Sequence, residues 1–228
     1  MGRWGMPPPA ERPDGNTPAE GPVPPVPSAG FGAAFKSLVG RKLRELSGRR
    51  WRGASERARQ AEAARRGAAE MARRIERQTG HRPAEATIRR NARQDRTPKG
   101  VDQRQVDRQS RIDAAGGIEQ FARQVGAKPR SVPQWRDSGA SLVGGAVRIV
   151  ADVAGMLWSD GRGYPRSMTV SVTVSDPEVA DEIRAAYAAH DYAAVGEMLG
   201  PVITDQTDWS GDADRSFDVD VITDITIT

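Results

Sequence analysis

The stretch 167–187, SMTVSVTVSDPEVADEIRAAY, decides the fold class. Its first half alternates strictly. Met168, Val170, Val172 and Val174 share one face and Thr169, Ser171 and Thr173 the other, the period of a half-buried strand. The pattern then breaks at Asp176-Pro177-Glu178, an N-cap signal with a short acceptor side chain followed by a proline at the first helical position. Beyond it, Val179, Ile183, Ala186 and Tyr187 recur at helical spacing. Further on, a second short helix is predicted over Tyr192 to Leu199. SFDVDVITDITIT (216–228) alternates again and groups Phe217, Val219, Val221, Ile225 and Ile227. The expected class is therefore α+β: two amphipathic strands flanking helices in a small C-terminal unit, 167–228. Two strands bury little apolar surface, which favours a homodimer.

Upstream, WSDGRGYPRS (158–167) carries Gly161, Gly163 and Pro165 and reads as an exposed loop over 158–166. Gly144 to Leu157 is apolar on more than one face and reads as a buried helix linking the two halves. Before that comes FARQVGAKPRSVPQWRDSG (121–139), with the spacing of a helix-turn-helix. Ala122 is the small residue that lets two helices approach, Gly126 takes the positive φ of the turn, and Val132 and Trp135 pack the second helix onto the first. Lys128, Arg130, Ser131, Gln134 and Arg136 then face DNA, as side chains suited to phosphates and major-groove edges. Pro133 falls near the start of the recognition helix and could displace that start by a turn. An ordinary helix pair is the plainer reading of the same spacing.

The region 31–105 reads as basic and helical, and 106–157 as the helix-turn-helix with its linker. Phe31, Phe35, Leu38, Val39, Leu43 and Leu46 mark an amphipathic helix. From Ser55 to Gln78, Ala, Arg and Glu alternate with few large apolar residues, which predicts a long, solvated, basic helix able to lie along a phosphate backbone. Gly80 and Pro83 then introduce a helix carrying Ala86, Ile88 and the DNA-facing Arg89, Arg90 and Arg93. This segment reads equally as a degenerate first copy of the 121–139 unit or as a basic helical hairpin. Residues 1–30, rich in Pro and Gly, read as a disordered tail, with PVPPVP (22–27) a weaker candidate for partner docking.

Bulk composition narrows the function. The 228 residues contain no cysteine and only two histidines, His81 and His190, far apart in sequence. That excludes disulfides, zinc fingers and a cysteine nucleophile, and disfavours a His-built metal site. The hydrophobic share of 37% and mean hydropathy of −0.61 are low for a fully packed chain. No apolar run of membrane-spanning length and no signal-peptide core occurs, so an intracellular, nucleoid-associated protein is expected. The net charge of +4 conceals a polarity: Lys36 to Lys99 holds 20 basic and 7 acidic side chains, whereas Asp176 to the end holds 13 acidic and 2 basic. Such a distribution predicts polyanion binding by the N-terminal half.

No phosphate loop, HExxH, GxSxG or dinucleotide fingerprint is present. Asp218, Asp220 and Asp224 share the outer face of the last strand, but alternating carboxylates there are ordinarily solubility features. Neither metal nor cofactor is expected. A different chemistry is that of a substrate. A hydroxyl in the loop before the strand, at Ser159, Tyr164, Ser167 or Thr169, could accept a nucleotide from a polymerase.

From Gly116 to Thr228 the chain resembles the telomere terminal proteins of linear actinobacterial (Streptomyces-type) chromosomes and plasmids. The likeness rests on GGIEQFARQVGAKPRSVPQWRDSG, PRSMTVSVTVSDPEVADEIRAAY and FDVDVITDITIT, in that order. It implies a protein that caps DNA ends and primes end patching, acted on by a partner DNA polymerase and assisted by a telomere-associated protein, rather than an enzyme. In that family a threonine shortly before the first strand carries the nucleotide. The best-matching position here is Ser159, with Tyr164 second and Thr169 third. A non-covalent helix-turn-helix regulator of a mobile element is the alternative. The N-terminal 110 residues exceed the family pattern.

Overall fold

The computed structural model describes residues 29–209 and 214–228, so the proline-rich tail expected over 1–30 lies almost wholly outside the described residues. The chain is α+β, a helical N-terminal part followed by a three-stranded antiparallel sheet backed by helices. The helical part comprises α1 (Phe31–Arg44), α2 (Arg49–Arg52), α3 (Glu56–Thr79), α4 (Glu85–Arg93), α5 (Gln103–Ala114), α6 (Ile118–Val125) and α7 (Ser131–Ser138). The sheet part comprises β1 (Val147–Ser159), β2 (Arg162–Val174), α8 (Pro177–Ala188), α9 (Tyr192–Gln206) and β3 (Arg215–Ile227). The strand order is β2-β1-β3.

Helix α3 differs from the solvated rod expected of its sequence. Ala63, Gly67, Ala68, Met71, Ala72 and Ile75 form a buried stripe. Small residues here bring α1 close enough for a Cβ on Gly67 to meet Val39 at 3.0 Å. With Phe31, Leu38, Ile88 and Val106 this makes one apolar core under α1, α3, α4 and α5.

A second core joins α5, α6 and α7. The Phe121 and Trp135 rings stack at 5.3 Å and Arg108 lies 5.7 Å from the Trp135 centroid. Gly126 ends α6 at φ 73°, the positive value expected of it. Pro133 sits inside the first turn of α7, where its missing N–H costs little, and the helix begins at Ser131. Ala185 and Ala188 of α8 complete this core.

The C-terminal part corrects the sequence reading in several places. The segment 144–157 is not a helix but most of β1, with Val147, Ile149, Ala151, Val153, Gly155 and Leu157 turned inward. Its β-branched residues and strict alternation of burial suit a strand. The stretch 158–166 is not a loop either. Only Asp160 and Gly161 leave the ladder, at φ 51° and 75°, and β2 resumes at Arg162. An Asp-Gly pair with both φ values positive matches the twist of the strands it joins. The unit therefore has three strands rather than two.

Helix α9 also runs past the expected end at Leu199, through Pro201 to Gln206. Burial of Val195, Leu199 and Ile203 on one face favours continuation, and Gly200 permits it, since a Cβ there would lie 2.5 Å from the Phe217 carbonyl oxygen of β3. In β3 the grouping of Val221 with Phe217 and Val219 fails. Register shifts opposite Asp152/Val153 and Ala154/Gly155 reset the alternation. Ile222, Ile225 and Ile227 pack on the core while Val221 is 50% exposed. The Met168-to-Val174 alternation and the Asp176 cap of α8 stand as read.

Asp191 caps α9 through the Ala194 N–H, and its burial pushes the carboxyl above the ordinary range. A folded-state pKa above the unfolded one means the ionised form opposes folding at neutral pH. Asp191→Asn keeps a capping oxygen without the charge. Thermal melts should show it more stable than wild type at pH 7, with the difference closing as pH falls below about 4.

Candidate nucleic-acid interface

Much of the basic excess of the N-terminal half is structural. Asp113, 1% exposed, receives Arg41 at 3.0 Å and Arg74 at 2.6 and 3.1 Å. Burial works against the Arg74 charge, but Asp113 and then Glu70 outweigh it and raise the Arg74 pKa. Arg44 caps α5 by donating to the carbonyls of Asp113 and Ala114. Along α3, hydrogen bonds from Arg65 and Arg66 hold Glu62 down at about 2, and Glu70 takes Arg73 and Arg74.

Of the basic side chains left over, Lys36, Arg49, Arg52, Arg57 and Arg104 are scattered over the helical part, and two groups stand out among the others. On α4 the only buried residue is Ile88; Arg89, Arg90 and Arg93 are exposed and make no ion pair with any described residue. Arg96 and Lys99 continue this surface into the following connection. A second group, Arg123, Lys128 and Arg130, lies on α6 and the turn before α7, exposed and likewise without an ion pair. Gln134 is exposed beside it and Ser131 half-buried.

Arg136 departs from this set. Its guanidinium is bidentate on Asp137 at 2.6 and 2.7 Å and donates to Gln109 at 3.2 Å, so it braces α7 against α5. Hydrogen bonding from Arg136 and then Gln105 lowers the Asp137 pKa. Near this bridge a cleft of about 400 Å³ opens between α3, α5 and α7, with Gln78, Gln105 and Asp113 in its wall. Sequence spacing gave no hint of these tertiary partners. The Asp160-Gly161 pair is a hairpin signal that the loop reading of 158–166 passed over.

The four candidate hydroxyls are not brought together; Ser167 lies exposed in β2 opposite Ala154. Ser159 is half-buried at the end of β1, opposite Arg162 and Arg215. Tyr164 lies in β2 opposite Leu157 and is 40% exposed. Thr169 donates to Asp152 at 2.5 Å and is tied into the sheet. Asp218 accepts from the Trp158 indole at 2.7 Å, Asp224 faces Asp152 across the ladder, and Asp220 sits at a register shift. No group of three or more His, Asp or Glu able to hold a metal occurs among the described residues. No helix among them is long and apolar enough to cross a membrane.

Two short networks fix the helical part to the sheet part. Glu182 of α8 pairs with Arg108 at 3.0 Å and with Arg111. Asp181 accepts from the backbone N–H groups of Leu142, Val143 and Gly144 at 2.7, 3.1 and 3.2 Å, and from Arg184 at 3.0 Å. No protein-family model, curated protein or solved structure matches the chain.

Proposed function

We propose that the protein binds DNA through two basic helical surfaces, α4 and the turn between α6 and α7. The observation that carries this reading is selective pairing. Arg41 of α1 and Arg66 and Arg74 of α3 are spent on buried or adjacent carboxylates and Arg44 on the carbonyls that end α5, whereas Arg89, Arg90, Arg93, Arg123, Lys128 and Arg130 have no such partner among the described residues. Free cations on an exposed helical surface neutralise phosphates and release counterions. The face of the sheet that carries Asp152, Asp218 and Asp224 is kept off the polymer and serves protein contact, including pairing with a second copy.

Binding to a 30-bp duplex, followed by fluorescence anisotropy across salt, tests the reading. Wild type should lose affinity steeply, roughly 10³–10⁵-fold between 50 and 200 mM if 6–10 phosphates are contacted. Replacing Arg89, Arg90 and Arg93 together with Ala should reduce the slope of log K against log salt by about 2–3, and Lys128→Ala with Arg130→Ala by about 1–2. Unchanged slopes in both variants would overturn it.

Within this reading the chain acts as a terminal protein at DNA ends. The Ser159 hydroxyl oxygen attacks the α-phosphorus of a deoxynucleoside triphosphate held by a partner polymerase; a phosphoester forms, pyrophosphate leaves and the hydroxyl proton passes to solvent. Supporting it is the position of Ser159 at the hairpin end, next to the Asp160-Gly161 turn. Peptide mass spectrometry of nuclease-treated native protein should find a nucleotide on Ser159. Unmodified Ser159, Tyr164 and Thr169 in protein purified on DNA would favour the non-covalent regulator. That second reading draws on the strand pairing of Ser159, which restrains the hydroxyl more than a loop would.

A further inference from the structure

The distal half of β2 pairs with β1 but places no side chain in the core. Arg162 to Ser167 is exposed on both faces, although the same strand is buried on alternate residues from Val170 to Val174. The helix layer stops short. Trp209 and α9 cover Phe217 of β3, and Leu157 of β1 is buried beside it, but Tyr164 in the same cross-strand row is 40% exposed. Arg162, Tyr164 and Arg166 follow one another at every second position and therefore share one face, about 6–7 Å apart. Neither arginine makes an ion pair with any described residue. Their cross-strand partners on β1 are Ser159 and Gly155, so no carboxylate stands opposite either.

We infer that this row, Arg162–Tyr164–Arg166, is a binding strip for single-stranded DNA: the Tyr164 ring stacks one base and the two guanidiniums take the flanking phosphates. An aromatic ring between cations on an open strand suits an unpaired base, whose faces are free, and not a base stacked within a duplex. The opposite face of the sheet carries Asp152, Asp218 and Asp224 and repels phosphate, which confines the strand to one side. Asp160 at the turn sets the limit of the strip at its tip. A peptide strand is a poorer occupant of this edge, because Pro165 lies within it and deters strand addition. The inference rests on the DNA-binding reading and adds the form of the DNA.

Anisotropy of a labelled twelve-residue oligothymidylate on the full chain tests it, with the 30-bp duplex measured in parallel. Tyr164→Ala should weaken oligothymidylate binding about 5- to 150-fold, the range of one lost stacking platform. Tyr164→Phe, which keeps the ring and removes the hydroxyl, should bind within about twofold of wild type, so stacking is separated from any nucleotide attachment to that hydroxyl. Arg162→Ala with Arg166→Ala should flatten the single-strand salt slope by about 1.4. Duplex binding should respond to the α4 triple variant and not to Tyr164→Ala. Equal loss of duplex and single-strand affinity in Tyr164→Ala, or no loss in either, overturns the strip while leaving the DNA-binding reading intact. Failure of wild type to bind oligothymidylate at low salt also overturns it and leaves the row to a protein contact; failure with both polymers removes the two readings together.

Discussion

Asp113→Ala should lower the free energy of unfolding by about 3–5 kcal/mol, the usual cost of stripping a buried charge of its partner. The carboxylate sits at the meeting point of α1, α3 and α5, where Arg41 and Arg74 converge on it and Gln109 donates at 3.3 Å. Removing it leaves Arg74, only 14% exposed, facing Arg41 with the buried charge between them gone and only Glu70 and the exposed Glu45 as counter-charges. Asp113→Asn should be nearly as costly, since an amide keeps the shape but not the charge. Urea denaturation followed by tryptophan fluorescence checks both. A loss under about 1 kcal/mol for either would mean that solvent reaches the arginines and the network is not a structural centre.

The second large effect is expected at Asp181→Ala, again about 3–5 kcal/mol. One carboxylate here gathers three consecutive backbone N–H groups and Arg184 at the entry to β1. Without it those amides lie buried or half-buried with no acceptor, each a penalty of about 1–3 kcal/mol that local rearrangement partly relieves. Hydrogen exchange gives the sharper test. Protection at Leu142, Val143 and Gly144 should fall first and furthest, whereas Asp181→Asn should retain part of it through its remaining carbonyl. Uniform loss of protection across the chain would show instead that the contact holds the whole fold rather than one junction.

These two aspartates also mark where sequence reading runs out. Periodicity located α1, α6, α7, α8 and the inner face of β2, because each follows from the local spacing of apolar and polar residues; α3 was legible as a helix from its Ala, Arg and Glu content, but its buried stripe of small residues was not. Periodicity misread β1, whose run Val147 to Leu157 includes Ala151, Ala154 and Gly155 and so looks apolar on every side. Its outer face carries Val150 and Trp158, about two-fifths exposed, which blurs the alternation that burial makes plain. The α9 boundary was missed because Gly200-Pro201 is a stop signal in isolation, overridden here by packing on β3. Charge polarity was legible as a count, but which arginines are free was not. Arg41, Arg74 and Arg136 find their partners 72, 39 and 27 residues away in the chain, or beside them in a geometry no spacing rule encodes.

Helix α8 lends Ala185 and Ala188 to the core beneath Trp135 and turns Ala180, Ile183 and Ala186 to the sheet. During synthesis the α6–α7 pair therefore leaves the ribosome without its final wall, which follows about fifty residues later, a delay of some seconds at 5–20 residues per second. Until then Trp135 and Phe121 have an open flank, a natural point of engagement for a chaperone. The same sharing limits modularity. A fragment ending at the β1–β2 hairpin keeps every residue of α6 and α7 yet lacks the helix that closes them, so the unit could be grafted onto another protein only with α8 carried along.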